Sequence, residues 1–134
     1  MPTHPEAPPG ALAPPVPWDP GLWLRYTRWA IRVLGGLWIL YALSGVCMLV
    51  WALMNPDYPM IGVLLMTGAS MAAASGGFGA LHLLIAWRLG KGSRLAWVLG
   101  ILLGIFYVPT GCLPLGVGIL AVLLNAKVRK GFLG

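Results

Sequence analysis

The distribution of positive charge constrains this chain more than any other feature of its sequence. Its nine lysines and arginines form three clusters, and the stretches 33–56, 58–87 and 95–126 between them hold no lysine or arginine and no acidic residue. Apolar stretches of this length, flanked by cations, are typical of an integral membrane protein whose cytoplasmic side is rich in lysine and arginine. The nine cations are Arg25, Arg28, Arg32, Arg88, Lys91, Arg94, Lys127, Arg129 and Lys130.

The composition excludes a water-soluble domain. Of the 134 residues, 59% are hydrophobic and 9% are charged, whereas a soluble domain carries about 25% charged residues. The net charge of +6 does not indicate nucleic-acid binding, because the cations flank apolar stretches and form no basic patch interleaved with aromatic residues. We expect the lipid bilayer and its anionic headgroups to be the partners of these cations.

The first quarter of the chain predicts a tail followed by a surface helix. Residues 1–17 are rich in proline and alanine, which predicts a disordered cytoplasmic tail. Asp19 and Pro20 are typical of a helix start. We predict an amphipathic helix at the membrane interface over residues 18–32, with arginines on one face and aromatic residues on others.

The rest of the chain predicts an all-α, polytopic transmembrane domain over residues 32–130. Four transmembrane helices are expected at about 32–54, 60–88, 94–108 and 113–127. The last two are short, so two geometries remain open. They are either two short transmembrane helices, which we favour, or a re-entrant hairpin whose turn is shielded by protein.

The positions of the cations also predict orientation and location. All three clusters fall on one side of this topology, which predicts that both termini are cytoplasmic. The predicted location is the bacterial inner (cytoplasmic) membrane, crossed several times.

Small residues at regular spacing predict close helix packing. Such residues let helix backbones approach in a membrane, where no hydrophobic effect drives helices together. The predicted packing residues are Gly68, Ala72, Gly76 and Ala80 in the second helix, and Gly100 and Gly104 in the third.

The second half of the chain resembles small, uncharacterised bacterial four-helix integral membrane proteins, mainly over residues 60–130. The likeness rests on a glycine- and alanine-rich second helix, a short basic loop, and a proline–glycine turn before a basic tail. The residues that carry it are Gly90-Lys91-Gly92-Ser93-Arg94-Leu95-Ala96-Trp97, Gly100, Gly104 and Leu113-Pro114-Leu115-Gly116-Val117-Gly118-Ile119-Leu120. Many of those proteins carry a polar residue where this chain has Val117. The resemblance implies a fold and a location but no activity.

Residues able to perform chemistry are sparse, and we predict no enzyme, catalytic residue, cofactor or metal site. The small four-helix multidrug transporters require a membrane-embedded glutamate, which this chain lacks. Cys47 and Cys112 form no CxxC pair and are expected to be buried as small apolar side chains. His82 is the one ionisable residue within an apolar stretch, which makes it a weak functional candidate.

The sequence favours a structural or interaction role. The protein is expected to pack as a homo-oligomer or as an accessory subunit of a larger membrane complex. The alternative is an oligomeric channel or small-solute permeability protein lined by the Gly/Ala/Ser-rich second helix. In that case Thr67, Ser70 and Ser75 would face a common lumen.

Overall fold

The structure is a computed structural model that describes residues 19–110 and 112–133. Within those residues the chain forms five α-helices and no strand, which confirms the predicted all-α class. The predicted tail at 1–17 lies outside the described residues. The helices are α1 (Pro20–Met54), α2 (Ile61–Leu89), α3 (Arg94–Tyr107), α4 (Leu113–Leu124) and α5 (Ala126–Leu133).

Helices α1 and α2 are long and apolar enough to cross a membrane. They contain 35 and 29 residues, or about 52 Å and 43 Å at 1.5 Å per residue. The most apolar 18-residue window has a mean hydropathy of 2.1 in α1 and 1.5 in α2. Despite this apolar character, only 17% of the window in α1 and 11% of the window in α2 is buried. A core helix of a soluble protein would be mostly buried, so the exposure of these apolar windows favours contact with lipid.

Helix α1 is one continuous helix that passes through position 32 without a break. The Asp19 carboxylate accepts a hydrogen bond from the Gly21 N–H at 2.9 Å, and Pro20 occupies the first turn. Thr27 and Ile31 are buried, which means that this part of α1 packs against the other helices on one side. The segment predicted as an interfacial helix, 18–32, therefore runs directly into the first apolar span as the first part of α1.

Helices α3 and α4 form a short hairpin. Their 14 and 12 residues correspond to about 21 Å and 18 Å, less than the roughly 30 Å of a bilayer core. The indole N–H of Trp97 donates to the Leu123 carbonyl at 2.8 Å and ties the two helices together.

The predicted fourth segment, 113–127, is divided at Asn125. This residue has an extended backbone (φ −57°, ψ 132°), which ends α4. Its side-chain oxygen accepts a hydrogen bond from the Lys127 N–H at 3.0 Å. Asn125 therefore ends one helix and caps the start of the next, because an asparagine side chain satisfies a free N–H at a helix N-terminus.

The three basic clusters lie at one end of the molecule, where two arginines bond to helix C-termini. Arg28 Nε donates to the Ala86 carbonyl at 3.3 Å, in the last turn of α2. Arg94 donates from Nε to the Phe132 carbonyl at 3.0 Å and from a terminal nitrogen to the Leu133 carbonyl at 3.1 Å. The last four carbonyls of a helix have no partner within it and carry partial negative charge, so a guanidinium stabilises them.

The apolar core lies toward this same basic end. Its described members include no residue of α1 beyond position 34 and none of α2 before position 85. The distal half of the α1–α2 hairpin is therefore not covered by this core. The buried members of the cluster are Ile31, Ile85, Ala86, Leu89, Ala96, Leu103, Tyr107, Ile119, Val122, Leu123, Val128 and Phe132.

Candidate functional site: helix contacts and a buried hydrogen-bond chain

Two glycines bring the backbones of α1 and α2 into close contact. A Cβ on Gly45 would lie 2.7 Å from the Ala72 nitrogen and 2.8 Å from the Gly68 carbonyl oxygen. A Cβ on Gly68 would lie 2.9 Å from the Gly45 carbonyl oxygen, and real Cβ atoms essentially never approach within 3.0 Å. The two backbones are in direct contact here, as expected for helices that associate through small residues.

The packing face of α2 differs from a strict four-residue spacing. Gly68 is buried, and a Cβ on Gly76 would lie 3.7 Å from the Cβ of Ala42. Ala80 is exposed, and Gly79 is buried in its place. Each step of four residues rotates about 40° around a helix, so three steps turn the row about 120° away from its partner.

The predicted glycines of α3 lie against α4. A Cβ on Gly100 would lie 2.8 Å from Leu123 Cδ1, and one on Gly104 would lie 2.9 Å from Leu120 Cγ. A Cβ on Gly116 would lie 2.8 Å from the Gly104 carbonyl oxygen. The pair Gly104 and Gly116 therefore forms a second close backbone contact.

His82 is fully buried and belongs to a chain of hydrogen bonds between three helices. Its Nε2 lies 2.7 Å from the Tyr107 hydroxyl of α3, and its Nδ1 lies 2.6 Å from the Phe78 carbonyl oxygen. The indole N–H of Trp38 in α1 donates to the same hydroxyl at 3.0 Å. The chain joins α1, α3 and α2 in that order.

The direction of these bonds follows from the groups involved. An indole N–H only donates and a carbonyl oxygen only accepts. Tyr107 therefore accepts from Trp38 and donates to His82 Nε2, while the Nδ1–H of His82 donates to Phe78. This assignment of the tautomer uses the hydrogen-bond network, and it gives every donor an acceptor with a neutral imidazole. The arrangement satisfies buried polar groups and fixes how the three helices meet.

Sequence reasoning identified His82 but missed its two partners. Trp38 lies six residues inside an apolar stretch, away from the boundaries where tryptophan usually anchors a membrane helix. That unusual depth was the available signal that its N–H had a protein partner. Nothing in the sequence paired Tyr107 with a histidine 25 residues away.

A cavity of about 440 Å³ shows how far the α3–α4 hairpin extends along α1. It brings Cys112, in the turn of the hairpin, together with Trp38 and Tyr41. Trp38 is six residues beyond Arg32, a distance of about 9 Å along the helix. The hairpin turn therefore lies near the middle of the α1–α2 hairpin and does not reach its distal end.

Of the three polar residues predicted to line a lumen, Thr67 and Ser70 lie together on the surface of this single chain, and Ser75 does not join them. Thr67 and Ser70 are exposed, and the Ser70 hydroxyl donates to the Thr67 carbonyl at 2.9 Å. Ser75 is buried, 3% exposed, on the same side of α2 as Gly68 and Gly79. Within the part of the chain that the structure describes, no group of three His, Cys, Asp or Glu side chains could hold a metal ion.

A second row of small residues on α2 is exposed. Ala69, Ala73, Gly77 and Ala80 fall within an arc of about 80°, centred roughly 130° from the face that packs on α1. All four are exposed, and nothing lies within 4 Å of a Cβ built on Gly77. We call these four residues the outer small face of α2.

Apart from Arg28, the cations predicted to anchor the protein at the headgroups are exposed near the basic end. Lys91 Nζ lies 3.7 Å from the ring centroid of Trp87, a cation–π contact that suits the headgroup level.

Comparisons with protein-family models, with curated proteins and with solved structures find no match for this chain. The resemblance noted from the sequence therefore stays a prediction.

Proposed function

We propose that this chain is a multi-pass protein of the bacterial inner membrane with a structural or interaction role. It would pack as a homo-oligomer or as an accessory subunit of a larger membrane complex, with both termini in the cytoplasm. The observation that carries this proposal is the outer small face of α2. The opposite small face, around Gly68, already supports direct backbone contact with α1, and the outer face has the same kind of residues with no described partner.

The α3–α4 hairpin is proposed to be re-entrant, the second of the two geometries that the sequence left open. Its turn lies beside Trp38, about 9 Å past Arg32, whereas a full span requires about 30 Å. Both ends of the hairpin carry cations of the basic end, Arg94 and Lys127. A hairpin of these dimensions enters the membrane and leaves it on the same side, without reaching the other side.

The exposed turn gives a second reason to expect a protein partner. Pro109, Thr110 and Cys112 are exposed in this single chain. Irregular backbone at membrane depth is tolerated only where protein or water covers it. A second copy or a partner subunit that covers the turn would meet this requirement.

The outer small face can be tested by filling it. Ala73→Leu adds bulk at its centre, and Ala121→Leu makes the same change at an exposed position of α4. Native mass spectrometry of the tagged protein from its own membranes measures the assembly. We expect the first variant to lose a stoichiometric partner, either a second copy or a foreign subunit, and the second to keep it.

Two other outcomes would change the conclusion. Full assembly of the Ala73→Leu variant would show that the outer small face is covered by lipid, and the proposal would lose its support. A closed homo-oligomer that conducts ions or small solutes in liposomes would favour the channel interpretation. Thr67 and Ser70 would be the residues to replace in that case.

A further inference from the structure

The cytoplasmic part of α1 carries a cleft that combines fixed positive charge with exposed aromatic rings. The cleft has a volume of about 560 Å³. Arg25, Arg28 and Arg32 fall within an arc of about 60°, at 100° per residue. Next to them on the same helix are apolar and aromatic side chains. The described residues lining the cleft are Leu22, Arg25, Tyr26, Arg28, Trp29 and Arg32.

One of the three guanidinium groups is held in place by the protein. Arg28 Nε donates to the Ala86 carbonyl at 3.3 Å, and a Cβ on Gly90 would collide with the Arg28 guanidinium. Four of the five N–H donors of a guanidinium remain after one bond is made. Arg28 thus presents a positioned donor group at the cleft.

The other two arginines have no anionic partner among the described residues. Arg25 and Arg32 are exposed and form no hydrogen bond or ion pair within residues 19–110 and 112–133. The carboxylate of Asp19 caps the Gly21 N–H, and Asp57 lies beyond the opposite end of α1. Planar guanidinium groups bind phosphate oxygens in pairs of hydrogen bonds, more specifically than a lysine ammonium does.

The aromatic side of the cleft points to a lipid as the source of the phosphate. Trp29 is 65% exposed and Tyr26 is 59% exposed, and such rings favour the headgroup level of a bilayer. Farther along α1, the exposed side chains of Val33, Leu37 and Leu40 continue the apolar side of the cleft. An acyl chain could follow this path while its phosphate met the arginines.

We propose that this cleft binds the phosphodiester group of an anionic phospholipid, one molecule per chain. Arg25, Arg28 and Arg32 bind the phosphate, and Trp29 packs against the glycerol region. The proposal rests on the membrane location but not on contacts through the outer small face of α2. Loss of lipid binding and loss of assembly are therefore separate results.

The test compares two variants that remove the same charge from different places. Arg25→Gln/Arg32→Gln changes the cleft, whereas Lys127→Gln/Arg129→Gln removes two exposed cations elsewhere at the basic end. Arg28 is left unchanged because it also bonds to the end of α2. Native mass spectrometry from maltoside micelles counts bound dioleoyl phosphatidylglycerol, with dioleoyl phosphatidylcholine as the zwitterionic comparison.

The wild-type protein is expected to retain one phosphatidylglycerol at concentrations where phosphatidylcholine is lost. The cleft variant should need at least about tenfold more phosphatidylglycerol, a difference of about 1.4 kcal/mol. The control variant should bind like the wild type. An equal loss in both variants would show only diffuse attraction to basic residues, and displacement by millimolar inorganic phosphate would point to a soluble anion. Either result overturns the proposal.

Discussion

Replacing Gly45 by alanine tests directly whether α1 and α2 are in backbone contact. The added Cβ would lie 2.7 Å from the Ala72 nitrogen, about 0.7 Å closer than the 3.4 Å at which ordinary van der Waals contact begins. Two of its three nearest atoms belong to the α2 backbone. No side-chain rotation relieves that clash, so the helices must separate locally.

The expected magnitude combines two opposing effects. Overpacking of a close contact costs about 1–3 kcal/mol, and replacing glycine by alanine within a helix gains about 1 kcal/mol. Gly36→Ala provides the matched control, because it lies in the same helix and nothing is within 4 Å of its added Cβ. Both variants share the helix-propensity gain, so their difference in free energy of unfolding, about 1–3 kcal/mol, isolates the clash.

The measurement is unfolding of each variant in maltoside micelles by increasing dodecyl sulfate, followed by far-ultraviolet circular dichroism. Gly45→Ala should unfold at a lower fraction of dodecyl sulfate than the wild type, and Gly36→Ala at an equal or higher fraction. Gly79→Ala should lie between them, because its nearest obstacle is the flexible end of Ile39, at 2.7 Å. Identical curves for Gly45→Ala and Gly36→Ala would refute a direct backbone contact.

Two further predictions concern the hydrogen-bond chain and the hairpin. Tyr107→Phe should lower the free energy of unfolding by about 1–3 kcal/mol, because buried polar groups lose their partner. The same dodecyl sulfate titration measures this, and Tyr41→Phe, at an exposed tyrosine, should change it little. With Cys47 replaced by serine, a membrane-impermeant maleimide should fail to label Cys112 in intact spheroplasts. The positive control is Asp57→Cys, in the loop between α1 and α2, whose added cysteine should be labelled. Labelling of both would show that the hairpin crosses the membrane.

The helix ends follow largely from local sequence. The predicted second segment, 60–88, closely matches α2, and the predicted third, 94–108, closely matches α3. At the start of α3 local chemistry explains the agreement, because the Ser93 hydroxyl caps the helix by accepting a hydrogen bond from the Ala96 N–H. The break at Asn125 is also local, but one polar residue within an otherwise apolar segment was too weak a signal to predict it.

The face that each helix uses was harder to predict. A four-residue spacing singled out small residues in α2, and the structure places Gly79 rather than Ala80 against α1. The partner glycine in α1 was missed altogether. The buried small residues Gly35, Ala42, Gly45 and Ala52 recur at intervals of seven and three residues, a pattern that a search for packing faces in α1 would have found.

By itself, the sequence determined the helical class, the long apolar segments and the separation of every cation from them, since these depend on composition and on local order. Only the tertiary structure decided which faces meet, that Trp38, His82 and Tyr107 form one chain, and how deep the hairpin turn lies. Those features depend on contacts between residues far apart in sequence. Such contacts are set by helix rotation and relative depth, which hydropathy and spacing along a single helix do not specify.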